Sequence, residues 1–258
     1  EITKQNWSEA FYITLAHNFG FHTNSLPFET LALQAPLNYL LKHRNSLFQV
    51  TAILLGQSGL LNEQTIKNEE EAALLREYQF LKQKFSLQSM AASLWKRARL
   101  RPQNAPQIRI RQFAQLICQS EWLFSQMLVQ PTVNDLRQLL CLQSPTTSAE
   151  DTQSIISAPP AIGKKSIDIL LINTLLPYRY AYALAHSDTT AAQMALTLMQ
   201  QIPAEDNTII RQWRLLGQQV TSAADTQALI HLYQHYCQNE RCIHCEVGQQ
   251  VFLLNHIS

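Results

Sequence analysis

Three cysteines near the end of the chain have a spacing that could bind a metal ion. Cys237, Cys242 and Cys245 form a C-x4-C-x2-C pattern. Two thiolates separated by two residues can turn back on one ion, and a third nearby thiolate is what a zinc or iron–sulfur site requires. The usual set has four ligands, so the pattern predicts a metal site whose fourth ligand comes from outside these three residues.

Histidine is the fourth ligand that we expect if the metal is zinc. A helix predicted from about residue 222 leads into Cys237, and His231 and His235 lie four apart on one of its faces. His235 is our candidate, and His244 and His256 are weaker ones. A closed Cys3His site is structural, so this zinc would hold the C-terminal cluster of residues 231–258 in place.

An iron–sulfur cluster is the less favoured alternative, because it more often takes four thiolates. Cys118 and Cys141 could supply the missing thiolate, but each lies in an apolar helical stripe. Buried free cysteines are common core residues, so we expect both in the core. The remaining alternative is that the cluster holds no metal and its thiols are unligated.

A basic stretch is the second candidate site. Between Tyr78 and Ser120 the sequence has no acidic residue. The candidate nucleic-acid or phosphate ligands are Lys96, Arg97, Arg99, Arg101, Arg109 and Arg111. A helix predicted to begin at Pro106 would add its N-terminal dipole, and Trp95 could provide a stacking surface. The alternative is that these cations pair with acidic residues such as Glu69–Glu71 and that Trp95 is core.

Length, composition and motifs limit the classes of protein to which this chain can belong. With 258 residues and 46% hydrophobic content, the chain can bury one sizeable core or two modest ones, so folding should not depend on a metal. The formal net charge of +1 argues neither for a globally basic nucleic-acid binder nor for an acidic tail, so an electrostatic argument must rest on local clustering. No nucleophile-elbow, phosphate-loop or zinc-protease motif is present, so no catalytic residue is assigned. We expect no membrane span and no secretory signal, hence a cytoplasmic protein.

The elements that must position these residues are predicted to be helices. Six glycines are few for a β-rich fold, and each falls where an apolar segment starts or stops. Asn6 with Glu9 predicts a capping box, and Glu69–Phe85 has the apolar spacing of a long helix. The apolar runs Leu47–Leu55 and Ile167–Leu176 are ambiguous by periodicity, and we assign both to buried helices.

The predicted architecture is therefore all-α, a compact multi-helix array. We expect one helical domain over residues 1–258. A Ser/Thr/Pro-rich loop at 143–163 is a candidate boundary between two lobes, 1–142 and 164–258.

Five segments spread over almost the whole chain carry a family resemblance. They are NFGFHTNSLPFE from Asn18, LFQVTAILLGQSGLL from Leu47, RLRPQNAPQIRIRQFAQLI from Arg99, IDILLINTLLP from Ile167 and YCQNERCIHCEVG from Tyr236. Together they resemble an uncharacterised bacterial domain-of-unknown-function family similar to DUF2851. Full-length members look, in their N-terminal part, like restriction-endonuclease-type nucleases. The resemblance implies that this chain, which begins at Glu1, is the helical C-terminal portion without that nuclease-like domain.

Three functional hypotheses follow. The first is a non-catalytic helical module that binds nucleic acid or phosphate in support of the absent nuclease-like domain, with a structural zinc. The second is a structural or protein-interaction domain whose basic stretch docks on an acidic partner or on the upstream domain. The third is an enzyme domain with a metal or iron–sulfur centre. The sequence leaves open whether the chain is an enzyme and what its oligomeric state is.

Overall fold

The fold is all-α. The computed structural model describes residues 6–64, 66–119, 123–143 and 156–255, with side chains up to residue 250. These ranges contain no β-strand, only an isolated bridge between Pro203 and Ser222. The fold-class prediction is confirmed, including the helical assignment of the apolar runs Leu47–Leu55 and Ile167–Leu176. No helix in the described part of the chain is both long and apolar enough to cross a bilayer.

The chain forms two compact units, Glu1–Tyr182 and Ala183–Ser258. The helices of the first unit are α1 (Trp7–Phe19), α2 (Ser25–Gln34), α3 (Leu37–Lys42), α4 (Leu47–Gln57), α5 (Glu69–Phe85), α6 (Pro106–Gln119), α7 (Leu123–Val129), α8 (Val133–Leu140), α9 (Lys164–Leu170) and α10 (Leu176–Ala185), which contains the boundary. The helices of the second unit are α11 (Thr189–Gln200), α12 (Thr208–Leu215), α13 (Ala223–Leu232) and α14 (Glu246–Asn255). Most of the predicted loop at 143–163, residues 144–155, lies outside the described residues.

Aromatic side chains form the centre of the first unit. Phe19 of α1, Phe28 of α2 and Phe113 of α6 are fully buried, and their ring centroids lie 5.2–6.1 Å apart. Helix α4 packs beside this cluster against α5 and α6. Gly56 lies in the last turn of α4, where a Cβ would be 2.1 Å from the Tyr78 ring. A glycine is therefore required for the close approach of α4 and α5.

Local capping signals set several helix ends. The side chain of Asn6 accepts a hydrogen bond from the Glu9 N–H at 3.1 Å, which confirms the predicted cap of α1. The Glu9 carboxylate, however, accepts from the Leu37 N–H at 3.2 Å. The predicted capping box is thus only half formed at Asn6, and Glu9 connects α1 to α3.

A π-helix, Leu171–Leu175, joins α9 to α10 in one continuous helical run. Pro177 follows it and has no N–H to offer the carbonyl of Asn173, four residues earlier. The side-chain amide of Asn18, on α1, donates to that carbonyl at 3.0 Å and to the Thr174 hydroxyl at 2.9 Å. A side chain from another helix therefore supplies the hydrogen bond that proline cannot make.

The second unit is built around α13, which packs against α11 and α12. A capping box of Ser222 and Asp225 starts this helix. Backbone N–H groups of Thr221 and Ser222 donate to the Asp225 carboxylate and lower its pKa. A π-helix, Tyr233–Cys237, continues α13 and ends at the first of the three C-terminal cysteines.

Candidate nucleic-acid interface and cysteine cluster

The six cations of the predicted interface separate into two groups by exposure. Four of them are exposed and lie within six consecutive residues: Lys96, Arg97, Arg99 and Arg101. We call residues 96–101 the basic segment. It runs between two 3-10 turns, Ala92–Leu94 and Pro102–Asn104. Within the described residues, no acidic side chain forms an ion pair with any of the four.

Trp95 anchors the chain just before the basic segment. Its side chain is 4% exposed, and its indole N–H donates to the Ser58 carbonyl at 2.9 Å. The ring meets Phe28 edge to face, with centroids 5.2 Å apart. Trp95 is therefore core, and the prediction that it offers a stacking surface is wrong.

Asn24 holds the first residue of the basic segment by its backbone. This buried side chain accepts from the Lys96 N–H at 2.9 Å and donates to the Lys96 carbonyl at 3.0 Å. Two hydrogen bonds from one amide fix the backbone as a strand partner would. The Lys96 ammonium group stays exposed, so the fixed backbone presents it to solvent.

Arg109 fixes the other end of the basic segment. Its guanidinium donates to the Asn104 side chain at 2.7 Å and to the Gln112 side chain at 3.0 Å, and lies 4.2 Å above the Phe21 ring. Burial lowers the pKa of this arginine. Because Arg109 is buried and its guanidinium is engaged with these neighbours, the structure places it behind the segment as a support.

Arg111 is also engaged within the protein. It forms an ion pair with Glu70, and both side chains are mostly buried. The Ser157 hydroxyl donates to the second oxygen of the same carboxylate at 2.9 Å. The alternative of pairing with the acidic run Glu69–Glu71 therefore holds for Arg111, although it does not hold for the basic segment.

A cavity of about 470 Å³ lies beside the basic segment. Its walls come from the end of α4, the connection from α4 to α5, the basic segment and the first turns of α6. The lining residues are Leu55, Leu60, Leu61, Gln64, Ile66, Lys67, Glu71, Arg97, Ala105, Gln107, Ile108 and Arg111. No local signal in the sequence marks this cavity, because only the folded chain brings these elements together.

The three C-terminal thiols lie near one another in the second unit. Cys237 and Cys242 are exposed and Cys245 is buried. Burial, and then the neighbouring thiols of Cys245 and Cys242, raise the pKa of Cys237. Gly248 of α14 positions this group, because a Cβ there would lie 2.3 Å from the Cys242 carbonyl oxygen.

The structure places His235 beside His231, as their spacing predicts. Their ring centroids lie 4.3 Å apart. Both border a surface pocket of about 550 Å³ that also takes in Tyr236, Arg241 and His244. Over the described residues, no three His, Cys, Asp or Glu side chains are arranged to hold a metal ion. His256 lies outside the described residues.

The two remaining cysteines differ in their surroundings. Cys118 of α6 is half-buried, and burial raises the pKa of its thiol to about 12. Cys141 caps the C-terminus of α8 and is exposed. The prediction of a core position is therefore wrong for Cys141, since the apolar stripe of α8 ends at Leu140.

Comparison with known proteins gives a match to a protein family. A family model described as a protein of unknown function (DUF2851) matches residues 1–208. The matched range contains the basic segment and the cavity and ends before the three cysteines. No curated protein and no solved structure matches the chain.

Proposed function

The chain belongs to the DUF2851 family, whose function is unknown, and from that premise we propose that it is a non-catalytic helical module that binds nucleic-acid phosphates. The ligands are Lys96, Arg97, Arg99 and Arg101. The observation that carries the proposal is four exposed cations in six consecutive residues, with no acidic partner within the described chain. Such a cluster attracts a phosphate backbone irrespective of base sequence.

The anchored backbone supports this proposal. Trp95 and Asn24 hold the start of the basic segment, and Arg109 holds the Asn104 turn at its end. Three of the four exposed cations are arginines, whose planar guanidinium groups can donate two hydrogen bonds to one phosphate. Since the backbone is already ordered by these contacts, less conformational entropy is lost on binding.

Salt dependence tests the proposal. Each neutralised phosphate contributes about 0.7–0.9 to the slope of log K against log salt, so four contacts predict a slope of about −3. Fluorescence anisotropy of labelled DNA, titrated from low to physiological salt, measures it. Arg101→Glu should lower both the affinity and the slope. Lys42→Glu, at an exposed lysine of α3, is the matched control and should change neither. No binding at low salt, or an equal effect of both variants, contradicts the proposal.

We also propose that the second unit holds a structural zinc ion through Cys237, Cys242, Cys245 and His235. The supporting observation is that the chain brings the three thiols near one another after α13, where burial and then the thiols of Cys245 and Cys242 raise the pKa of Cys237. The described side chains would have to reorient to complete the ligand set, and the exposed positions of Cys237, Cys242 and His235 leave room for this.

Metal analysis of protein purified without chelator tests the zinc site. We expect one zinc per chain, lost in Cys242→Ser and kept in Cys141→Ser, which changes an exposed cysteine of the first unit. Iron with visible absorbance would instead support the iron–sulfur alternative. Substoichiometric zinc and iron would reject both.

A further inference from the structure

We propose that the cavity beside the basic segment binds one unstacked nucleotide, so that the module prefers single-stranded nucleic acid to duplex. The inference rests on the proposed function and adds to it the form of nucleic acid that is recognised. The cavity volume of about 470 Å³ lies within the range of small-molecule sites, about 300–1,000 Å³.

Apolar side chains form the inner part of the cavity. Leu55, Leu60 and Leu61 are each at most 6% exposed, and Ile66 and Ile108 are half-buried. A flat, weakly hydrated base gains free energy when it leaves water for such a surface. A phosphate alone would gain nothing from these residues, so the apolar part of the cavity points to a base.

Two glutamines border the same cavity. Gln64 is exposed and Gln107 is half-buried on the first turn of α6. Among the described residues, neither side-chain amide has a hydrogen-bond partner. A primary amide can donate and accept at once, which is what the edge of a base requires. The cavity therefore combines an apolar floor with polar groups that can bind a base.

A positively charged residue connects the cavity to the basic segment, where the phosphates are proposed to bind. Arg97 belongs both to the cavity wall and to the basic segment. Lys67 adds one further cation, and its backbone N–H donates to the Glu71 carboxylate at 2.8 Å. Arg111, in the same wall, is already paired with Glu70. A nucleotide whose base enters the cavity would thus have its phosphate next to Arg97.

A duplex cannot use this cavity without breaking a base pair. Its bases are stacked and paired, and turning one out costs free energy that a single strand does not spend. Single-stranded nucleic acid would therefore bind through both the basic segment and the cavity, whereas duplex would use the basic segment alone.

Binding of a labelled single-stranded DNA and of the corresponding duplex, at the same salt concentration, tests the proposal. We expect wild-type protein to bind the single strand about tenfold more tightly. This factor is at the low end of what a base gains by stacking on an aromatic ring, because the apolar residues that line this cavity are not aromatic. Ile108→Trp, which fills the cavity, should lower single-strand affinity to the duplex value. Val129→Trp enlarges an aliphatic residue that is 74% exposed outside the cavity and should preserve the preference.

Further measurements separate the possible failures. Gln107→Ala removes an amide without adding volume and should weaken single-strand binding alone, which tests the cavity independently if the tryptophan variant does not fold. Competition by adenosine monophosphate would assign the cavity to free nucleotides as well as to strands. Equal affinity of wild-type protein for single strand and duplex, or unchanged single-strand binding in folded Ile108→Trp and in Gln107→Ala, overturns the inference. Absence of binding to either DNA overturns the proposed function itself.

Discussion

Arg109 and Arg101 show how surroundings divide the roles of two nearby arginines. Arg109 is buried, donates to Asn104 and Gln112, and stacks over Phe21. Arg101 is exposed at the end of the basic segment, and no described carboxylate pairs with it. The first arginine therefore positions the surface that the second one presents.

Substitution of these two arginines should affect different properties, stability for Arg109 and DNA binding for Arg101. Arg109→Gln should lower the free energy of unfolding by about 2 kcal/mol, because the buried guanidinium loses its hydrogen bonds to Asn104 and Gln112. Arg101→Ser should change it by less than about 0.5 kcal/mol and reduce the salt slope by about 0.7–0.9. Urea unfolding and salt titration of both variants measure the two quantities. A reduced slope without lost stability in Arg109→Gln would show that Arg109 contacts phosphate directly.

At the scale of elements, the junction of α9 and α10 depends on a partner from α1. Pro177 leaves the Asn173 carbonyl without its usual helical donor, and the Asn18 side chain replaces that donor. The same amide also donates to the buried Thr174 hydroxyl. Proline is tolerated within this helical run because the side chain of Asn18, from another helix, donates a hydrogen bond to the Asn173 carbonyl.

A double-mutant cycle tests that explanation. Asn18→Ala should cost about 1 kcal/mol of unfolding free energy in the wild-type background, the usual value of a hydrogen bond. It should cost less when Pro177→Ala is also present, because the new N–H can donate to the freed carbonyl. Chemical unfolding of the two single variants and the double variant measures the coupling. Strictly additive changes would show that Asn18 and Pro177 act independently.

How much the sequence predicts depends on the separation of the interacting residues. Helix α5 begins and ends at the predicted residues, Glu69 and Phe85, because caps and apolar spacing are local signals. The hydrogen bonds of Trp95 with Ser58 and of Lys96 with Asn24 join residues 37 and 72 positions apart. No local pattern encodes such pairs. Hence the candidate cations could be chosen from the sequence, but their division into exposed side chains and buried supports could not.

At the scale of the whole molecule, the proposed sites for nucleic acid and for zinc lie in different compact units. The basic segment and the cavity lie within Glu1–Tyr182, and the cysteines lie within Ala183–Ser258. The family match reaches residue 208 and so includes all of the first unit. The net charge of +1 provides little general attraction to nucleic acid, so the proposed binding would depend on the local cluster in the first unit.

Hydrogen exchange followed by mass spectrometry should therefore show separate protection by the two ligands. A ligand stabilises the structure that it binds, by about 2.7 kcal/mol at one hundred times its Kd, and slows exchange of the amides that open with that structure. Single-stranded DNA should slow exchange in peptides covering the basic segment and the first turn of α6. Zinc should slow exchange in peptides covering Tyr233–Cys237 and Cys242–His244. Arg101→Glu should remove the first effect and Cys242→Ser the second. Protection of the cysteine peptides by DNA would show instead that the two units open as one, and the assignment of each ligand to one unit would fail.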